Sequence, residues 1–211
     1  STLVYMDQAE EARIQGDFKE AGFLLLKAIN LRRKKFGANS TAAAQALSKY
    51  AEILRVQFKY GEAREVLDEV LAINMAAYGA SSQQTCDSLN ALGQVHRLLG
   101  NLDESESLLL EAFQIRRKML GDHNVATASS LNNLAELSRE RGDYFQAINY
   151  HNRAIEAFTA SVGEQHPGTV NAKGNLGVTL RRQAQMSLEA GETLVKEAFE
   201  KLQTANYDEE H

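Results

Sequence analysis

Only one proline, Pro167, and one cysteine, Cys86, stand among the 211 residues, and tryptophan is absent. A lone cysteine cannot close an internal disulfide, which excludes a disulfide-stapled scaffold and makes a reducing, cytoplasmic setting the expected one. The lack of proline removes the strongest helix breaker and permits helix along most of the chain. No apolar run approaches the roughly 20 residues that a spanning helix needs. Positive charge is not in excess either: 23 basic against 28 acidic residues leave a net charge of -5, which argues against a chain built to grip nucleic acid. There is no C-x-x-C, no H-E-x-x-H, no glycine-rich phosphate loop and no G-x-S-x-G elbow. His96, His123, His151, His166 and His211 fall at unrelated positions, and His151 reads as a packed core side chain. No catalytic residue, metal or cofactor is therefore expected.

What the sequence does have is a period. Gly37, Gly79, Gly121 and Gly163 are 42 residues apart, each after a bulky apolar residue, Phe36, Tyr78, Leu120 and Val162. Each pair reads as the last buried side chain of a helix followed by its left-handed glycine cap. Small residues recur on the same lattice: Ala9, Ala51, Gly93, Ala135 and Gly177 in one column, Ala21, Ala63, Ser105 and Ala147 in a second, and Ala28, Val70, Ala112 and Ala154 in a third. Short side chains at fixed intervals are what closely crossing helix pairs require. Within one period, Leu131, Leu134, Ala135 and Leu137 mark one helix face. Ala147, Ile148, His151, Ala154, Ile155 and Phe158 mark the next. Between them Asp143 with Gln146 forms a capping box, as do Asp17 with Glu20 and Asn101 with Glu104, whereas Lys59 stands where the second unit should have its cap.

The expected architecture is all-α, a right-handed α-solenoid of about five antiparallel helix-turn-helix hairpins, with helices over 2–15 and 17–36, 41–57 and 60–78, 83–99 and 102–120, and 125–141 and 144–162. The units run 1–37, 38–79, 80–121, 122–163 and 164–205, followed by an acidic, frayed tail over 206–211. In the fifth unit a helix over 167–183 is followed by a partner carrying Leu194, Val195, Ala198, Phe199 and Leu202, shifted by two residues from the lattice, as a capping unit can be. The chain begins at Ser1 without a methionine and without the loop that precedes later first helices, so a fragment of a longer array is expected.

Leu131-x2-Leu134-Ala135-x2-Ser138, then Ala147-x3-His151, resembles the tetratricopeptide repeat pattern. The 42-residue period, the phrase Leu131-Asn132-Asn133-Leu134-Ala135 and the loop pair His166-Pro167 resemble the long version found in kinesin light chains. That resemblance implies a solenoid whose first helices line a concave groove that binds a protein segment.

Two columns are candidates for that groove. Arg13, Arg55, Arg97, Arg139 and Arg181 keep the 42-residue spacing through all five units, and guanidinium forks suit carboxylates. The competing account is an intrahelical pair with Glu10, Glu52 or Glu136, leaving Arg97, beside Gln94, and Arg181, beside Val178, unpaired. Asn90, Asn132, Asn133, Asn171 and Asn175 form a carboxamide ladder able to hold an extended backbone, a role the resemblance implies; Ser48 and Lys49 replace it in the second unit. The competing account is simple tolerance of asparagine on a solvated face. Arg32-Arg33-Lys34-Lys35 and Arg116-Arg117-Lys118 read as cations meeting the negative end of a helix dipole. The functional expectation is a scaffold that binds an acidic, extended partner segment. The alternatives are a structural subunit or homo-oligomer using convex and edge surfaces such as Tyr60 and Leu102, and a helical-repeat RNA binder.

Overall fold

The computed structural model describes the backbone of residues 2–209 and the side chains as far as Glu200, Phe199 apart. Among these residues there are nine helices and no strand: α1 (Thr2–Ile14), α2 (Phe18–Phe36), α3 (Thr41–Val56), α4 (Tyr60–Tyr78), α5 (Gln83–Leu98), α6 (Leu102–Leu120), α7 (Val125–Glu140), α8 (Tyr144–Val162) and α9 (Pro167–Glu209). Each packs on the next, so the chain is a solenoid of helical hairpins, with apolar clusters strung along it rather than gathered at one centre.

The small columns do the work expected of them. Ala21, Ala28, Ala63, Ser105, Ala112, Ala135, Ala147 and Ala154 are fully buried. A methyl group added to Gly93 would lie 2.8 Å from Leu109 Cγ, so this crossing has no room even for alanine. Leu3 is exposed, and Met6 takes the core place in α1. Tyr60 and Leu102 are half-buried in apolar clusters and form no exposed patch.

Turn chemistry departs from expectation in three ways. The cap glycines have φ of 82–97° with ψ of 154–175°, an extended mirror-image conformation outside the left-handed helical region, and the apolar residues before them are exposed. Only glycine adopts that conformation readily. Asp17 and Asp143 accept from the N–H of Glu20 and Gln146 at 3.0 Å, but their own N–H groups already bond to Ala12 and Ser138 carbonyls, so the reciprocal half of each box is unneeded. Asn101 makes no cap bond at all, its amide lying 3.4 Å from His96 Nδ1.

The largest correction concerns the end of the chain. No fifth hairpin forms, because α9 runs 43 residues without a break. The turns between paired helices hold residues 16, 58, 100 and 142 at φ of 82, 61, 80 and 81°. The next position on that lattice is Ala184, followed by Gln185 where Asp17, Asn101 and Asp143 stand. Alanine is the best helix former and pays a penalty at positive φ, so the helix continues where earlier units turn. The helical backbone extends into the tail expected to fray; the side chains of Phe199 and Leu202, and those from Tyr207 to His211, lie outside the described residues.

Candidate peptide-binding groove

First helices share one face. Side chains of α1, α3 and α5, including Leu3, Ser48, Lys49, Glu52, Arg55 and Gln94, together with Arg32 of α2 and Asn74 of α4, line a cavity of about 610 Å³. Farther along, Arg139, Glu140, Val178, Arg181, Arg182 and Gln185 from α7 and α9 line a second, of about 450 Å³. The larger of these two hollows therefore lies in the first half of the array, not in the asparagine-rich second half.

Several of the expected binding residues bond to one another. Asn133 donates to Asn90 at 2.8 Å, and Asn175 donates to Asn132 at 3.3 Å and to Glu136 at 3.2 Å, so carboxamides of successive first helices tie the hairpins together. Asn132 also meets buried His151 Nδ1 at 3.1 Å. Asn171 is exposed, and its side chain makes no hydrogen bond among the described residues. Ser48 donates back to the Ala44 carbonyl at 2.9 Å.

The arginine column divides in a way the sequence spacing does not foresee. Arg13 pairs with Glu10 at 2.6 Å, as the intrahelical account requires; this bond holds the Glu10 carboxyl below its ordinary pKa. Arg97, expected to be free, is the most engaged: it pairs with Glu136 at 3.1 Å and with Glu140, both from α7, and its side chain is 13% exposed. That capture leaves Arg139 without its expected glutamate. Arg55, Arg139 and Arg181 make no ion pair among the described residues, while Lys49 lies 3.8 Å from Glu10.

A third set of polar residues escaped the sequence reading. Arg32, Asn74 and Arg116 are one 42-residue column of second helices, all nearly buried. Arg32 donates to the Ala42 carbonyl at 2.7 Å. Asn74 donates to Ser88 at 2.8 Å. Arg116 donates to Ser130 at 2.7 Å and to Asp87 at 2.5 Å. They staple each second helix to the next first helix, which replaces the dipole account for Arg32 and Arg116; Arg33 and Arg117 pair instead with Glu69 and Asp122. Phe158 ends the column, and Gly168 makes way for it: a methyl there would meet the ring at 2.8 Å. Three polar residues at one spacing inside an apolar stripe were the available signal. A companion device, Thr85, Thr127 and Thr169 donating at 2.7–2.9 Å to the carbonyls of Gly79, Gly121 and Gly163, locks the loops between hairpins.

His151 is fully buried, and burial, with the Arg139 charge second, pushes its pKa down to about 4; it stays neutral in the core. Cys86 is buried, which raises its thiol pKa and leaves it unreactive. Among the described residues no cluster of three metal-ligating side chains occurs, and no helix is long and apolar enough to cross a membrane.

The tetratricopeptide repeat family model matches residues 42–118, 84–160 and 126–190, three overlapping stretches whose starts repeat the 42-residue period. No curated protein matches the sequence. Among solved structures, two of nearly identical TPR-like repeats from Podosopora anserina, carrying a kinesin light chain designation, superpose with TM-scores of 0.73 and 0.71 at 19% identity. They cover 92% and 90% of this chain and 91% and 90% of theirs. BtubC (BKLC) from P. vanneervenii superposes with a TM-score of 0.70 at 20% identity, over 89% of this chain and 77% of its own. With the family pattern spanning well over half its length on a solenoid of helical hairpins, the chain belongs to the tetratricopeptide repeat family.

Proposed function

We propose that the chain is a non-catalytic protein-interaction scaffold whose groove takes an extended, acidic partner segment, in the manner of a cargo adaptor or assembly module. One observation supports the reading: Arg55, Arg139 and Arg181, first-helix cations that make no ion pair among the described residues, all line the two hollows. Around the second hollow Arg182 adds another positive charge, and the one carboxylate there, Glu140, is engaged by Arg97. An acidic segment would exchange water for fork-shaped donors at both hollows. A cytoplasmic, reducing location belongs to the same proposal and rests on the single buried thiol of Cys86.

Selection of ligands from a randomised peptide display library tests this without a known partner. Enrichment of Asp and Glu is expected, and the triple variant Arg55→Glu, Arg139→Glu, Arg181→Glu should lose those peptides while keeping its helicity and melting temperature. Arg97 is left alone, since its replacement would open the Glu136 and Glu140 network. Ligands without acidic residues, or acidic ligands retained by the triple variant, would remove the groove assignment.

A further inference from the structure

Four gaps separate the successive first helices α1, α3, α5, α7 and α9, and the repeat assigns one arginine to each. Arg97 meets Glu136 at 3.1 Å across the gap between α5 and α7, and Glu136 stands 39 residues after it. The same step leads from Arg13 to Glu52, from Arg55 to Gln94 and from Arg139 to Val178. Two gaps thus hold an internal carboxylate and two do not. Arg13, its guanidinium pKa raised chiefly by Glu10, also feels the charge of Glu52, and these three residues help line a void of only about 10 Å³. Arg55 and Gln94 both line the 610 Å³ hollow, and Arg139 and Val178 both line the 450 Å³ one. The hollows therefore open where the repeat leaves out its carboxylate. Resting on the groove as a site for an acidic segment, we propose that the partner supplies the two missing carboxylates, one beside Gln94 to Arg55 and one beside Val178 to Arg139, on either side of the closed Arg97 pair.

The two subsites differ in what else they offer. In the first, the Gln94 amide can donate to the carboxylate that Arg55 holds, and Lys49 adds a second charge. Its own carboxylates are engaged elsewhere: Asp87 accepts from Arg116 at 2.5 Å, and Glu52 acts on Arg13. The carboxamide bridge is missing there as well, since Ser48 and Ala91 stand where Asn90 and Asn133 meet in the next gap. That leaves room for a side chain of the partner, above a floor that includes Leu67 and Val95. In the second, Val178 is 39% exposed and offers no hydrogen bond, so the attraction comes from Arg139, Arg181 and Arg182 together. A carboxylate at the first subsite is oriented by two donors, whereas one at the second answers mainly to charge, so added salt should weaken the second first.

The absent carboxylates can be put back. Gln94→Glu and Val178→Glu give Arg55 and Arg139 the internal partner that Arg97 already has, without touching an arginine. In the chain carrying both, NMR titration should place the two new carboxyl groups below the ordinary glutamate value of about 4.3, as Arg13 does for Glu10. Carboxyl groups that titrate at or above that value would overturn the inference, since no guanidinium would then lie opposite them. Peptides selected from the randomised display library on the parent should carry Asp or Glu in two separated groups, and the doubly substituted chain should bind them at least about tenfold more weakly. A control with the same added charge, Ser107→Glu with Gln114→Glu on the exposed side of α6, should bind them as the parent does. Equal losses in both chains would reduce the effect to net charge and overturn the inference. Acidic peptides held at parental affinity by the doubly substituted chain would also overturn it and leave the groove assignment standing, whereas a parent that selects no acidic peptide would remove both.

Discussion

Gly93 and Gly177 occupy the same column of the repeat, two periods apart, and live in opposite surroundings. Gly93 is pressed beneath Leu109 of its own hairpin, whereas Gly177 faces solvent from a helix whose partner never folds back. The first helices of both units carry the same kind of small residue, so the difference does not reside there. It resides at the turn, where Gly100 reverses the chain after α5 and Ala184 lets α9 run on. A repeat thus specifies which surfaces are ready to be covered, and the turn residues decide whether the same chain covers them. The largest test of this comparison is paired. Gly93→Leu should overpack α5 against α6 and lower stability by about 3 kcal/mol or more, while Gly177→Leu should cost nothing and raise stability by up to about 1 kcal/mol through helix propensity. Chemical denaturation of both variants reads the contrast, and equal losses would mean that α9 is covered after all.

A second contrast runs along the column Leu25, Leu67, Leu109 and His151, all buried, whose next member, Thr193, is exposed on α9. Only His151 titrates. Its folded pKa is near 4 and its ordinary value 6.5, so between those pH values the unfolded chain takes up a proton that the folded one refuses. Stability is therefore full above about pH 6.5 and falls as pH drops toward 4, by an amount approaching about 3 kcal/mol from this residue. His151→Leu restores the residue used at the other buried positions. Denaturation across pH should show its advantage over the parent growing through that window, although the 3.1 Å contact to Asn132 is lost. A pH-independent difference would mean that His151 reaches solvent before the array unfolds.

These contrasts mark what could be read in advance. Helix positions were legible because four complete periods repeat caps, small columns and apolar stripes, and local signals of that kind determine where paired helices begin and end. The unbroken α9 was also written in the sequence, in Ala184 and Gln185, but an expectation of regularity outweighed the missing turn residues. Partner choice among charged side chains was not legible. Glu136 stands three residues before Arg139 and also one period beyond Gln94, and nothing in the linear spacing says that Arg97, reaching across from α5, captures it. Arg32 and Arg116 were misassigned for the same reason, since their acceptors are carbonyls and hydroxyls on the following first helix, visible only once the hairpins are stacked. The asparagine ladder shows the limit from the other side: carboxamides suited to a peptide backbone are equally suited to one another.

The smallest expected effect returns to the turn column, which contains three solutions to one problem. Glycine at 16, 100 and 142 takes positive φ freely, Ala184 avoids the turn, and Phe58 takes φ of 61° in spite of its side chain. For an L-residue that conformation costs about 1–2 kcal/mol, and the Phe58 ring recovers little, being 78% exposed with an edge contact to Tyr60 at 6.2 Å. Phe58→Gly removes the strain but gives the unfolded chain more freedom, an offset of about 0.5–1 kcal/mol. The balance is a gain of about 0.5 kcal/mol, read as a rise in melting temperature of a few degrees at most. A fall would place more energy in the Phe58–Tyr60 contact than its exposure allows, and the second hairpin would then be held by its turn rather than in spite of it.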